Sequence, residues 1–593
     1  MSGSSNKMTK FWLELKRRKV LRSLAIYAGS AFIILEAATI IFPRWGFPDW
    51  TIDLVLYLLI LGVFINIVIA WIFDITPEGV QKTKPIAEVQ EYEKTKDSKS
   101  WKLATYISLV VIVGLIVFNV VPLNRQARGG PIDSILILPF DNFTGDDQLD
   151  NMISAMHSLL IGDLGRIQGL RVISPTTSNV YKDADMSIPE IAEELGVRAI
   201  MDLDVMCMGD TFCFQTKVIN ADPKEELLWI ADYKEEKGQM LNLYNLITKQ
   251  IAEEVKIKLS PEEEQRLAES RTVDPEALEA YLKGQYHWEQ LNRDSIQKIM
   301  AYFQLATELD PRWADPYAGL AQAWGMFSFF ELLPKSTTQP MKDKYLKKAL
   351  ELDPNSAKAH YANAGNAVWS EWDWEKGEKE FLKSIELNPN DALTRIYYAH
   401  LLMILRRTDE AVQQANIGLK LDPSKPIVLG LYSVVMAHMG DYESSIDFAK
   451  KAISISPEFR FAQNNLLLPY YLTGDYDNWI QAWVNKVRWS DEAKTSVVNA
   501  FNEKGHIAAI EEMFRLHEKY APEDCYMGHG IKANRYLHLN QDEKALDHIE
   551  KNYEMRRTDI AYLRTNMYYY HRLKDNPRYI ALLKKMNLPL PKE

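Results

Sequence analysis

Five proline-containing pairs recur along the middle of the chain: Asp310-Pro311, Asp353-Pro354, Asn388-Pro389, Asp422-Pro423 and Ser456-Pro457, at intervals of 43, 35, 34 and 34 residues. Proline lacks the backbone N–H and clashes with the preceding helical turn, so each pair closes a helix. A fixed interval of this length marks stacked units that cannot bury their apolar faces alone. Ahead of the prolines stand Phe303 and Ala306, Leu346 and Ala349, Phe381 and Ser384, and Ala449 and Ala452. Small residues suit close helix contacts, and the larger ones fill gaps between neighbouring pairs. The GDY triplets at Gly440–Tyr442 and Gly474–Tyr476 mark turns inside a pair. These signals predict an all-α solenoid over 275–475, with degenerate helical repeats and a closing cap over 476–593. The longest interval carries extra residues around Met326–Pro340; they either lengthen helices or form an aromatic contact loop.

Three long apolar runs lie ahead of the solenoid, near 24–42, 52–73 and 103–121. Each approaches the roughly 20 residues that span a bilayer. They predict a three-helix membrane module over 23–122, preceded by a basic amphipathic segment at 1–22. Lys7, Lys10, Lys16–Lys19 and Arg22 would hold the N-terminus in the cytoplasm. An odd number of spans then predicts a multi-pass membrane protein with its body outside the cytoplasm and the lipid bilayer as one partner. Glu36 is an acid inside the first run, where an ionised carboxylate is costly; a hydrogen-bonded acid joining two helices is the expected role.

Between the apolar runs and the solenoid, 131–262 has a mixed α/β pattern. Ser134–Pro139 is a short continuous apolar strand, Asp150–Ile167 has helical spacing, and Ala199–Cys207 with Cys213–Val218 alternates as a hairpin. A strand at Leu227–Tyr233 and a helix at Met240–Leu259 complete it. Cys207 and Cys213 flank the turn. A loop over Met208–Phe212 would bring them opposite one another as a disulfide, whereas a two-residue Gly209-Asp210 turn would leave them out of register. The chain after Lys102 carries 55 Lys+Arg against 70 Asp+Glu, a balance that argues against nucleic acid as a partner.

Several stretches resemble known families. ELKRRKVLRS, FPRWGFPDW and AWIFDITPEGV are similar to a recurrent bacterial membrane module, which implies the bacterial inner membrane with the body in the periplasm. ILPFDNFTGDD, LRVISPTTSNVY, AEELGVRAIMDLDV and LLWIADY resemble the TolB-like N-terminal domain, and the 34-residue period resembles tetratricopeptide (TPR) repeats. Some relatives place an adenylate cyclase or winged-helix domain ahead of such modules. About ten residues precede Phe11 here, so no such effector is expected. The TPR resemblance implies a concave groove lined by fixed positions of each first helix. Carried onto this chain, those positions are Asn366, Trp369, Ile396, His400, Asn464 and Tyr471.

No phosphate-binding glycine loop, HExxH, GxSxG or kinase set occurs. The expectation is therefore a protein that is not an enzyme and needs no cofactor or metal. The three acids of the Asp141–Asp147 loop lack the ligand ladder of a calcium loop. The chain is expected to be a membrane-anchored adaptor that displays a groove to an envelope protein or peptide, with homo-oligomerisation left open. A transmembrane sensor relaying ligand binding to a cytoplasmic partner is the alternative.

Overall fold

The computed structural model describes residues 20, 23–24, 27–32, 34–35, 38, 55–63, 66, 73–76 and 79–82, and then 132–591 except 183, 209, 222–224, 270–271, 290–294, 330–332, 334, 488, 521–527 and 566–571. The chain divides into two compact units, Met1–Arg128 and Gly129–Glu593.

The first unit corrects the membrane reading. Among the described residues no helix is long and apolar enough to cross a membrane. That overturns the three transmembrane helices and, with them, the inner-membrane and periplasmic placement and the transmembrane sensor. Phe73, expected to end the second span, instead opens β1 (Phe73–Thr76), which pairs antiparallel with β2 (Gly79–Lys82). Helical residues 27–30 and 55–63 meet where the Tyr27 hydroxyl donates to the Leu59 carbonyl at 2.8 Å. The expected third span at 103–121 and Glu36 lie outside the described residues.

The second unit begins with a mixed sheet. β3 (Ser134–Ile137) is buried on both faces and pairs parallel with β5 (Arg171–Val172) and β6 (Ala199–Met208). β6, β7 (Thr211–Asn220) and β8 (Glu226–Glu236) form an antiparallel meander, and β4 (Asp141–Asn142) adds to β6. A bulge between Val205 and Cys207 shifts the β6–β7 register by one residue. Without it Cys207 would face Phe212. With it Cys207 faces Cys213, and the two sulfurs are bonded, their Cα atoms 4.9 Å apart. An extra residue in one strand thus settles the two geometries left open by the turn.

Helices α1 (Asp150–Leu164), α2 (Pro175–Val180), α3 (Ile188–Leu195) and α4 (Met240–Glu254) belong to this α/β part, and α5 (Pro261–Ala268) leads out of it. α3 shows how local sequence defines an element. Ser187 and Glu190 form a capping box, Pro189 stands in the first turn, and Gly196 ends the helix at φ 60°. Helical hairpins follow: α6 (Pro275–Glu289) with α7 (Ser295–Leu309), α8 (Ala314–Phe329) with α9 (Lys335–Leu352), and α10 (Ala357–Asn366) with α11 (Trp374–Leu387). Then come α12 (Ala392–Ile404) with α13 (Thr408–Leu421), and α14 (Pro426–Met439) with α15 (Tyr442–Ile455). The extra residues of the longest repeat lengthen α8 and α9 to 16 and 18 residues. Close contact depends on missing side chains. A Cβ on Gly284 or Gly319 would lie 2.5 or 2.6 Å from the Phe303 ring, so the ring fits between α6 and α8 only because both residues are glycine.

The later elements are α16 (Arg460–Asn465), α17 (Leu467–Thr473), α18 (Tyr476–Lys486), α19 (Asp491–Tyr520, broken at Gly505), α20 (His529–His538), α21 (Asp542–Glu554) and α22 (Pro577–Lys585). The segment from α20 onward folds back on the array. Leu537, Leu546, Ile560, Leu563, Tyr579 and Leu583 share one core with Val368, Phe381, Ile396 and Leu402. Trp374 Nε1 donates to the Met586 carbonyl at 2.7 Å.

The α/β part is fastened to the array at the ends of two repeats. Asn390 Nδ2 donates to the Gly165 and Leu170 carbonyls at 2.9 and 2.7 Å, and its Oδ1 accepts from the Val172 N–H at 3.0 Å. One repeat further on, the buried Asp422 accepts from the Thr177 hydroxyl at 2.9 Å, while the Ser174 N–H donates to the Leu421 carbonyl. Asn390→Ala removes three hydrogen bonds and leaves their partners unpaired in a partly buried seam. It is expected to cost about 3 kcal/mol, read as a lower urea midpoint; a shift below about 0.5 kcal/mol would show that the seam does not hold the parts together.

Candidate binding groove

The first helix of each hairpin turns one stripe toward a shared interior, because residues three and four apart lie on one helical face. Lys358, Tyr361 and Gly365 on α10, Leu393, Tyr397 and His400 on α12, and Leu431, Val434 and His438 on α14 line a single cavity of about 1640 Å³. Its walls also include Ser174 and Asn390 from the docking seam, and Ile510, Met513, Asn534 and Tyr562 from the later helices. Tyr361, Trp369 and Tyr397 give one stretch an aromatic floor: Trp369 meets Tyr397 edge-on at a centroid distance of 5.4 Å, which suits their quadrupoles, and Tyr361 lies tilted 6.0 Å from Tyr397.

Four of the six positions expected in the groove line this cavity: Asn366, Trp369, His400 and Asn464. Trp369 and His400 are joined through Tyr562. His400 Nε2 lies 3.0 Å from the Leu431 carbonyl, which only accepts, so that nitrogen carries the proton. The neutral ring then accepts at Nδ1, where the Tyr562 hydroxyl stands at 3.0 Å, and Trp369 Nε1 donates to the same hydroxyl at 3.2 Å. A residue from the far end of the chain thus occupies part of the groove. Asn366 accepts from Gln339 at 2.8 Å and donates to Glu371 at 2.7 Å.

The other two positions face elsewhere. Ile396 is completely buried, with its backbone against Gly418 on α13. Its neighbour Tyr397 takes the groove position: one residue along a helix turns a side chain by about 100°. Tyr471 packs in a separate core with Trp479, His506 and His538, because the first helix of that repeat breaks at Leu466 and places Leu467 and Leu468 in the groove instead. Lys486, Arg535 and Tyr562 also line the cavity, and the positions carried over from the TPR resemblance do not include them. They come from helices beyond the clear period. The only local trace was the basic pair Lys486-Arg488 within an aromatic stretch.

In the α/β part, Asp141, Asp202 and Asp204 cluster on β4 and β6. Lys217 stands 3.0 Å from Asp204 and 3.7 Å from Asp202, so the cluster already has an ammonium partner. Burial and the neighbouring Asp204 push the Asp202 carboxyl up.

No known family profile matches the chain. Over 240 residues it is 25% identical to a Rhizobium meliloti (strain 1021) protein named as a candidate adenylate cyclase, a match covering 40% of each. Over 161 residues it is 26% identical to the transcriptional regulator HilA of Salmonella typhimurium, covering 27% of this chain and 28% of the regulator. The matched part is thus well under half of either relative. Among solved structures, PilF of Pseudomonas aeruginosa is similar at 16% identity, with 42% of this chain and 92% of that one covered and a TM-score of 0.26. YrrB, described as a TPR protein with an unusual peptide-binding site, is similar at 19% identity over 31% and 90%, with a TM-score of 0.21. The repeat build of this chain rests on its own hairpins and period.

Burial pushes His400 down to about 4 from its ordinary 6.5, and His157, sealed in the α/β core against the Ile137 carbonyl, likewise. The unfolded chain therefore binds more protons between pH 6.5 and 4. Stability that is complete above pH 6.5 is lost as pH falls through that window. His400→Gln is expected to remove its share, up to about 3 kcal/mol, and to flatten the pH dependence of the urea midpoint there. An unchanged slope would mean that His400 is not held neutral.

Proposed function

We propose that the chain is a protein-interaction scaffold that holds an extended peptide segment of a partner in the concave groove, without a catalytic step. The observation that carries this reading is the continuous cavity of about 1640 Å³, floored by aromatic rings and edged by amides along successive first helices. Half-buried aromatics offer large apolar contact at low entropic cost, and side-chain amides pair with a bound backbone; both are typical of binding anchors. Stacked hairpins build such a surface without any reacting group, since each repeat adds one strip of wall. The TolB-like likeness of the α/β part rests on its sequence stretches, and we read that part as a contact module seated on the array.

The groove reading separates two adjacent residues. Peptides selected by phage display against the full chain should bind the Tyr397→Ala protein about tenfold more weakly, with its melting temperature little changed. Ile396→Ala should do the opposite, costing about 2–4 kcal/mol of stability while the folded fraction keeps its affinity. Failure to enrich any peptide, or equal binding by wild type and Tyr397→Ala, would overturn the reading.

A further inference from the structure

The later end of the groove differs chemically from its aromatic floor. Arg460 and Asn464 stand one turn apart on α16 and share a face. Lys486 closes α18, and Arg535 lies in the middle of α20. All four line the cavity. Lys486 Nζ donates to the Asn464 side-chain Oδ1, and Arg535 Nη1 reaches the Met513 backbone carbonyl at 3.4 Å with its guanidinium 5.3 Å over the Phe514 ring. Three cationic groups from different helices thus line the same cavity, with Lys486 within the electrostatic reach of both Arg535 and Arg460, in a body whose overall charge is strongly negative. Asp559, one of several acids that line the cavity, accepts from Asn552 Nδ2 at 2.9 Å.

Resting on the groove reading above, we propose that this stretch is an anion subsite for the side-chain carboxylate of an acidic residue within an extended peptide, with Lys486 and Arg535 as its walls and Arg460 at its rim. The electrostatics agree with the geometry. Burial, followed by the like charges of Arg535 and Arg460, pushes the Lys486 ammonium down to about 8, and burial lowers Arg535 to about 10. Cations crowded in a desolvated wall gain when an anion arrives, because a charge-assisted contact is stronger where water is excluded.

Two observations favour a peptide over a phosphate-bearing polymer. Asn534, on the same helix as Arg535 and also lining the cavity, keeps its Oδ1 buried without a hydrogen-bond partner. That acceptor suits a backbone N–H, which a phosphodiester does not offer. Apolar groups share the cavity with the cations, among them Phe461, Leu467, Ile510 and Met513. A peptide that carries apolar residues beside an acid suits that mixed lining, whereas a polyanion would meet the repulsion of the acidic body.

The test uses the full chain and two fluorescein-labelled twelve-residue peptides, one alternating Leu with Glu and the other Leu with Gln, followed by fluorescence anisotropy. The Glu peptide is expected to bind about tenfold more tightly. Lys486→Met should shrink that preference to about twofold without lowering the melting temperature, since it removes a charge from a desolvated wall. Arg460→Gln, at the exposed rim, should reduce the preference less. Equal binding of the two peptides would overturn the subsite and leave the groove reading standing. Binding of neither peptide would overturn both. An oligoadenylate that binds more tightly than the Glu peptide would overturn the carboxylate assignment in favour of nucleic acid. A preference undiminished in Lys486→Met would remove Lys486 from the site.

Discussion

The packing of α1 and α4 against the first repeat hairpin is the contact on which the rest of the body depends. Leu160, Leu164 and Tyr244 of the α/β part lie in one core with Leu278, Tyr281, Phe303 and Leu320 of the repeats. Neither side could close that surface alone: the sheet needs a helical layer on this face, and the first repeat of a solenoid has no preceding neighbour to cover it. The α/β part therefore serves as the missing neighbour. Once it is seated, the loop after α1 reaches Asn390 and α2 reaches Asp422, so the seam lies against the first helices of two repeats. Polar contacts there fix register and orientation, while the apolar core supplies the bulk of the association.

At the other end the chain closes on itself. Leu563, Tyr579 and Leu583 pack into the core of the middle repeats, and Tyr562 enters the groove between Trp369 and His400. A solenoid that ran on in a straight line would expose its last apolar face; folding back covers it. The same fold-back brings Arg535 and Asn534 across from α16 and α18, and so makes a wall that no single repeat contains.

The repeat reading was legible because proline, glycine and small residues act locally. Pro311, Pro354, Pro389 and Pro423 each stand just past the end of a helix, at the interval the sequence shows. Groove positions were harder, since they depend on rotational phase. One residue of helical phase puts Tyr397 rather than Ile396 on the cavity wall, and the helix break at Leu466 places Tyr471 against a separate core. The membrane reading failed for a related reason. Apolar run length reports only that a segment avoids water, and the residue expected to end the second span instead pairs in a β-hairpin.

What the sequence determined by itself was the local grammar: helices closed by proline, and a strand–helix alternation ahead of them. Each of these depends on backbone sterics and hydrogen bonds within a few residues. Only the tertiary structure decided which residues share the groove, why Cys207 meets Cys213, and that Lys486 and Arg535 stand on one wall. Those outcomes depend on a bulge, a helix break and a chain reversal, and each changes the partners of residues far away in sequence without leaving a periodic trace.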